Sequence, residues 1–390
     1  MRSSQSLVHA NLRVGLRPAK ACVWCASAIA AAMLTAALSA QVLPAGGGGL
    51  SVDNPRGSAA DEPVPDAVTG LVQKDMRMGT AYLAGNGVPR DPAQAANWFR
   101  KAADLGSPEA QNEMGYLYIW GLGVNKDDTQ AFRWFARAAG GGWQQAKLNI
   151  AVMYMRGMGV ARDPAFARQV LEDLAARMNA RAEDYLGVMY LNGDGVTADT
   201  RTAEEWFSRS AKGKNPEGEF AMGQLYSTAD GHKHDFGKAA KFLRDSAKAG
   251  YVPAMYTLGV LLVHHPEVDR KGQDEAMALL ERAAEAGTWQ SSATLGLLAS
   301  QGQGTPRDMS AAFRWFTIAA RQGGAVAEAK VQGSLAQCAA ELTADQQKQE
   351  LAAAGDWMEQ HPHTDLFVFD GIRTQAPVGE VYAMRASTAE

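Results

Sequence analysis

Imidazoles and carboxylates crowd two neighbouring stretches of the chain: His232 and His234 beside Asp230 and Asp235, and His264 and His265 beside Glu267 and Asp269. Such a mixture would suit a divalent transition metal, which takes nitrogen and oxygen donors. Their spacing matches no recognised ligand pattern, and loop histidines are ordinarily solvated, so neither a metal site nor a cofactor is expected. A Gly-x-Gly pair recurs at Gly85/Gly87, Gly121/Gly123, Gly157/Gly159, Gly193/Gly195 and Gly302/Gly304. A dinucleotide-binding loop needs a preceding strand and a third glycine. In the first four pairs the sixth place holds Arg90, Lys126, Arg162 or Ala198, and a helical pattern precedes, so the pairs read as turns. No serine has a lysine three residues on, and no Gly-x-Ser-x-Gly elbow occurs, so the usual activated serines are missing. Cys22 and Cys25 sit in an alanine-rich run that reads as a targeting segment, and its removal leaves Cys338 alone, without an internal disulfide framework. The expected class is non-enzymatic.

The elements that carry these residues follow a period. Gly79, Gly115, Gly187, Gly223 and Gly259 fall on one 36-residue grid, with Ala151 at the missing point and Gly296 one residue late. Trp98, Trp134, Val170, Trp206 and Phe242 keep the same step, and Leu279 and Trp315 share the same one-residue slip. Two markers with one period and one slip define seven copies of a supersecondary unit. Each copy reads as two short helices. In the second copy Ser107 is a natural N-cap and Pro108 fits the first turn, where its missing N–H costs nothing. Glycines such as Gly121 end the first helix, Asp91-Pro92 and Asp163-Pro164 open the second, and Gly106, Gly140, Gly250, Gly287 and Gly323 close it. Apolar residues line one face of each helix, so pairs must stack to bury them. The Trp series at a fixed repeat position is expected to form the core.

Upstream, residues 1–40 combine Arg2, Arg13, Arg17 and Lys20 with an apolar run from Ala21 to Leu38 and small residues at Ala37, Ser39 and Ala40, as a secretory signal does. An uncleaved anchor is the alternative, weakened by the many alanines. Residues 41–68, with Gly46 to Gly49 and several prolines, read as a flexible linker. The formal net charge is −4, and loss of the first 40 residues leaves 34 basic against 42 acidic groups. That balance, without a basic stripe, argues against nucleic acid as a partner.

The pattern from Met78-Gly79-x-x-Tyr82 through Gly85-x-Gly87-Val88, Asp91, Ala95-x-x-Trp98-Phe99-x-x-Ala102-Ala103 to Gly106 resembles the Sel-one-like repeat, a relative of the tetratricopeptide repeat. The resemblance spans about 71–327. It implies an all-α fold, a right-handed α-solenoid of seven helix-turn-helix repeats at 69–327, with C-terminal capping helices at 328–362 and a tail at 363–390. Thr343 and Gln346 form a capping-box pattern at the start of one such helix. In the tail, Leu366-Phe367-Val368-Phe369 is either tucked on the last repeat or a docking motif. Departures are local: Val170-Leu171 replaces Trp-Phe in the third copy, and the fifth and sixth lose the full glycine turn. Cysteine-rich relatives have been associated with β-lactam hydrolysis, but the paired cysteines that mark them are missing here.

At 100° per residue, positions three before, one after and five after the marker glycine face away from the expected core. In the fourth copy these are Asp184, Val188 and Asn192. In relatives of this kind the first helices line the concave groove, so the resemblance makes this arc the binding surface. The candidates are Asn112, Tyr116, Trp120, Arg156, Asn192, Gln224, Tyr256 and His264, with Tyr116 and Trp120 expected to form a contiguous aromatic patch. The function expected is an exported, periplasmic or secreted scaffold in the bacterial cell envelope that binds a protein or peptide, without stable membrane insertion after signal cleavage. A glycan-binding role, with aromatic rings stacking on sugars, is the alternative.

Overall fold

The computed structural model describes residues 66–361 apart from 228–234, 270–271 and 305, all within the unit Asp53–Glu390. The signal-like segment, the linker up to residue 65, His232 and His234, and the 363–390 tail lie outside the described residues. Fifteen helices and no strand occur among the described residues. The first helices of the repeats are α1 (Asp66–Ala84), α3 (Pro108–Trp120), α5 (Gln144–Arg156), α7 (Ala180–Asn192), α9 (Pro216–Ser227), α11 (Val252–His264) and α13 (Trp289–Gln301). The second helices are α2 (Pro92–Asp104), α4 (Asp128–Gly140), α6 (Pro164–Ala176), α8 (Thr200–Lys212), α10 (Phe236–Lys248), α12 (Gly272–Glu285) and the start of α14 (Met309–Glu341). The last helix, α15, runs Ala344–Gln360. No described helix is long and apolar enough to cross a membrane.

Local chemistry sets the helix ends. Ser107 Oγ accepts from the Ala110 N–H at 3.2 Å, and Asp91 Oδ1 accepts from Ala93 and Gln94 at 3.0 Å. The same aspartate cap recurs at Asp127, Asp163, Asp199, Asp235 and Asp308. First helices α3, α5, α7 and α13 stop where Gly121, Gly157, Gly193 and Gly302 turn left-handed, whereas α11 stops at His265 without a glycine. The second-helix stops differ in detail from the sequence expectation. Gly140 is still helical in α4, and Gly142 makes the turn at φ +86°. Met178 and Lys214 hold the equivalent left-handed place at φ +59° without being glycine, and Met178 is 86% exposed. In α14, Gly324 at φ 56° and ψ −150° breaks the rod into the seventh second helix and a capping segment that buries Cys338. Thr343 and Gln346 form the expected capping box at α15, whose Trp357 meets Trp315 edge-on at 5.4 Å.

Packing within a repeat turns on the marker glycine. A Cβ on Gly187 would lie 2.5 Å from the Phe207 ring, and Gly79, Gly115 and Gly296 meet Phe99, Phe135 and Phe316 in the same way. In the fifth and sixth repeats the glycine meets Leu243 and Leu280 instead. The approach is therefore by a side chain of the repeat's own second helix, joined at Gly223 and Gly259 by the Ala239 and Ala276 carbonyls. Where the grid holds Ala151, the opposing position is Leu171, a smaller group than phenylalanine.

This corrects the expected core. The deepest ring is the Phe one residue after each Trp: Phe99, Phe135 and Phe207 are no more than 2% exposed. Trp98, Trp206 and Trp315 are only half-buried. They sit at the outer edge, where Lys101 covers Trp98 at 3.8 Å and Arg209 covers Trp206 at 4.4 Å, whereas Trp134, 7% exposed, belongs to the core as expected, with Arg137 over its ring at 4.7 Å. The helical period explains the difference, since consecutive residues point about 100° apart. Phe207→Ala is accordingly expected to cost about 3–5 kcal/mol. Trp206→Ala should cost only about 1–2 kcal/mol, the worth of partial burial and one cation–π contact. Denaturant unfolding of the two variants checks this, and equal losses would return the Trp row to the core.

Candidate functional site

The arc assigned to binding is not one uniform surface. Asn112 is 3% exposed, which corrects the expectation that it faces away from the packing. Its Oδ1 accepts from Asn149 Nδ2 of the next first helix at 3.1 Å, and the same amide donates to Tyr116 Oη at 3.0 Å. Gln145 Nε2 reaches Asn149 Oδ1 at 3.4 Å, one turn away on α5. The half-buried Tyr116 ring meets Phe135 edge-on at 5.3 Å. Burial pushes its phenol up, opposed by the hydrogen bond with Asn149. Trp120 is half-buried against the core cluster of repeats two to four. Tyr116 is thus part of the α3–α5 seam, where first helices of adjoining repeats satisfy each other's polar groups, and Trp120 packs on the core cluster beside it.

Two seams further on, the first helices pair charges. Arg181 on α7 donates to Glu217 on α9 at 3.1 Å, and both are largely buried. Asp184 stands three residues further along α7. Burial holds its carboxyl well above the usual range, reinforced by Glu217 and opposed by Arg181. Its Oδ1 is buried without a hydrogen-bond partner among the described residues. Register supplies the reason. Asp184 occupies the place of Asn112, and the place of Asn149, whose amide serves Asn112, is taken by Ala221, which has no donor to offer. Glu113 is a second buried carboxyl, also held well up by burial, with Oε2 unpartnered.

Arg156, Asn192 and His264 on this row of helices are exposed, and Gln224 and Tyr256 are half-buried. The His264 imidazole is pushed down by burial and then by His265. His265 itself stacks on Phe236 at 3.6 Å and meets Glu267 at 3.0 Å, which uses the side chain that the sequence offered as a metal donor. Among the described residues no group of three potential ligands comes together. Sequence reasoning missed Gln145, Asn149, Arg181 and Glu217. For three of them the signal was a polar row six residues before the marker, Gln145, Arg181 and Glu217, on helices whose neighbours leave these side chains only partly exposed.

Seven segments match the family described as Sel1 repeat: 76–107, 108–143, 144–169, 180–215, 216–251, 252–288 and 294–324. The chain belongs to the Sel1 repeat family. A Sel1 repeat protein from Oxalobacter formigenes is 26% identical, with a TM-score of 0.55, over 64% of this chain and 99% of that one. The protective antigen c5321 of uropathogenic Escherichia coli, described as an SLR fold, is 25% identical over 83% and 73% of the two chains, at a TM-score of 0.42. No curated protein matches. The third Sel1 segment stops at 169, one residue before Val170-Leu171 departs from the pattern. Sel1 repeat proteins typically act as scaffolds for protein–protein interaction and are generally not catalytic.

The Asp184 carboxyl generates a pH prediction. Its folded pKa lies above the unfolded one, so its favourable contribution is complete below the ordinary carboxylate range and is lost as pH rises through the raised value. Asp184→Asn should therefore stabilise this Sel1 array at neutral pH relative to the parent and change little at low pH. Melting temperatures across the acid-to-neutral range measure it; a variant equally stable or weaker at neutral pH would contradict the assignment.

Proposed function

We propose that the chain is an exported, non-catalytic scaffold of the bacterial cell envelope, periplasmic or secreted, whose concave first-helix face holds a segment of a partner protein. The observation that carries this is the contrast between constant and variable positions. The Gly–Phe or Gly–Leu contact recurs in six of the seven repeats, while the first-helix arc changes from Trp120 to Arg156 to Asn192 to His264 at one register position. Packing does not require that variety, since Arg156, Asn192 and His264 are exposed. Membership of a scaffold family supports the same reading. An extended strand and a helix are both segments such a face can hold.

Export rests on the basic, then apolar, then small-residue order of the first 40 residues. A glycan reading would draw on open aromatic faces. Tyr116 turns its ring to Phe135 and its hydroxyl to Asn149, so that reading loses a residue it rested on.

Affinity capture from envelope extract, with the full chain as bait, is expected to recover a stoichiometric protein partner. Arg156→Glu combined with His264→Ala should weaken that capture without lowering the melting temperature, because exposed substitutions typically change stability by about 0.5 kcal/mol or less. Unchanged recovery by the double variant would remove the first-helix face from the proposal. Intact mass of the exported protein is expected to show cleavage after Ser39 or Ala40. Recovery of full-length, detergent-requiring protein alone would establish the anchor instead.

A further inference from the structure

The second-helix side of the array carries a different feature. The residue at the Trp marker position packs on the second helix of the preceding repeat. Trp134 lies in the cluster of Ala95, Phe99 and Ala102, Trp206 packs against that of Ala167 and Leu171, and Trp315 against that of Leu280 and Ala284. In repeats one, two and four a cation three residues later covers the ring, as Lys101, Arg137 and Arg209 do. The sixth repeat keeps the cation and lacks the ring. Leu279 stands at the marker, packed on the cluster of Ala239, Leu243 and Ala247, and Arg282 stands three residues on. Beside it Ala278 replaces the Arg133, Glu205 and Arg314 found at the equivalent place in repeats two, four and seven.

The two reductions in size leave a cleft of about 180 Å³ between α10 and α12. Ala247, Ala278 and Leu279, with Leu258 of α11, give it apolar walls, and Arg244, Lys248, Glu275 and Arg282 line the rest. Arg244 is held to one side by Glu275, at 2.7 and 2.6 Å, and so braces the cleft rather than filling it. The cleft opens to solvent, so a ring seated in it would lie on the apolar floor with one face outward.

We propose that this cleft is a binding site for an aromatic side chain, of tryptophan type, from a partner polypeptide, with Arg282 closing over the ring as Arg137 and Arg209 close over their own tryptophans. The argument for the occupant is internal. The same slot in repeats two, four and seven is filled by an indole, and the arginine that would cover an indole is present in the sixth without one. Apolar burial supplies the attraction, and the guanidinium over the ring face supplies the preference for an aromatic over an aliphatic group. The site lies on the second helices and stands independently of the first-helix reading above.

The test uses the full chain and a probe tripeptide, acetyl-Gly-Trp-Gly-amide carrying 5-fluorotryptophan, followed by fluorine NMR. Saturable binding is expected, and acetyl-Gly-Leu-Gly-amide should not displace the probe. Leu279→Trp should abolish binding while holding or raising the melting temperature, because the chain then fills its own slot. Arg282→Ala should weaken binding about threefold, the order of one exposed cation–π contact. Three results overturn the proposal: no saturable binding, binding that survives Leu279→Trp, or a Leu279→Trp variant that melts well below the parent, which would show that the slot does not fit an indole. Binding that emerges only when Phe367 and Phe369 are changed to alanine would assign the cleft to the chain's own tail and overturn the assignment to a partner.

Discussion

One contact governs the architecture: a ring or leucine of the second helix set against a residue of the first that has no side chain. The Phe207 ring fills the space a Cβ on Gly187 would need, and five further repeats make the equivalent contact. Glycine inside a helix is unfavourable by about 1 kcal/mol relative to alanine. The close approach offsets that cost by burying an aromatic side chain completely, which stabilises by about 1.5–3 kcal/mol. Everything outward of this contact is placed by it. With Phe207 turned fully inward, the preceding Trp206 must point to the edge, where it meets solvent, an arginine and the previous repeat at once.

That displacement gives the two sides of the array different chemistry. On the second-helix side the marker residues tie repeats to the one before through apolar contact, capped by a cation at Trp134 and Trp206. Stability in such arrays is a sum of repeat and neighbour terms, so an exchange of Trp for Leu279 alters one seam without disturbing the rest. On the first-helix side two of the seams are polar. Asn112, Tyr116 and Asn149 satisfy one another between α3 and α5, and Arg181 and Glu217 do so between α7 and α9. Buried polar groups of this kind specify register, because a shift of one residue would leave each without its partner.

Asp184 marks where the pattern is incomplete. Its neighbours include one arginine already engaged by Glu217 and an alanine where another seam has an amide. A carboxyl in that position favours its neutral form, since burial penalises the charge and Glu217 repels it. The first-helix face therefore combines a fixed polar interior with the exposed Arg156, Asn192 and His264, a division suited to a rigid frame that presents varied contacts.

The sequence by itself determined the elements. Ser107, Asp91 and Asp163 as caps, the glycine turns and the Thr343–Gln346 box act within one or two helical turns, so their geometry follows from residue type and spacing alone. The count of seven repeats was legible for a related reason, as two markers kept one period through the same slip. Tertiary structure decided which side of each marker is innermost. Trp98 and Phe99 are adjacent, equally apolar and both periodic, and only the presence of Gly79 across the helix pair makes Phe99 the buried one. It also decided that Asn112 and Tyr116 belong to a seam: a helical wheel places residues around one helix, whereas their partners Asn149 and Gln145 come from the next repeat. The cleft at Leu279 is of the same kind, because a missing ring becomes a space only when the second helix of the preceding repeat supplies the opposite wall.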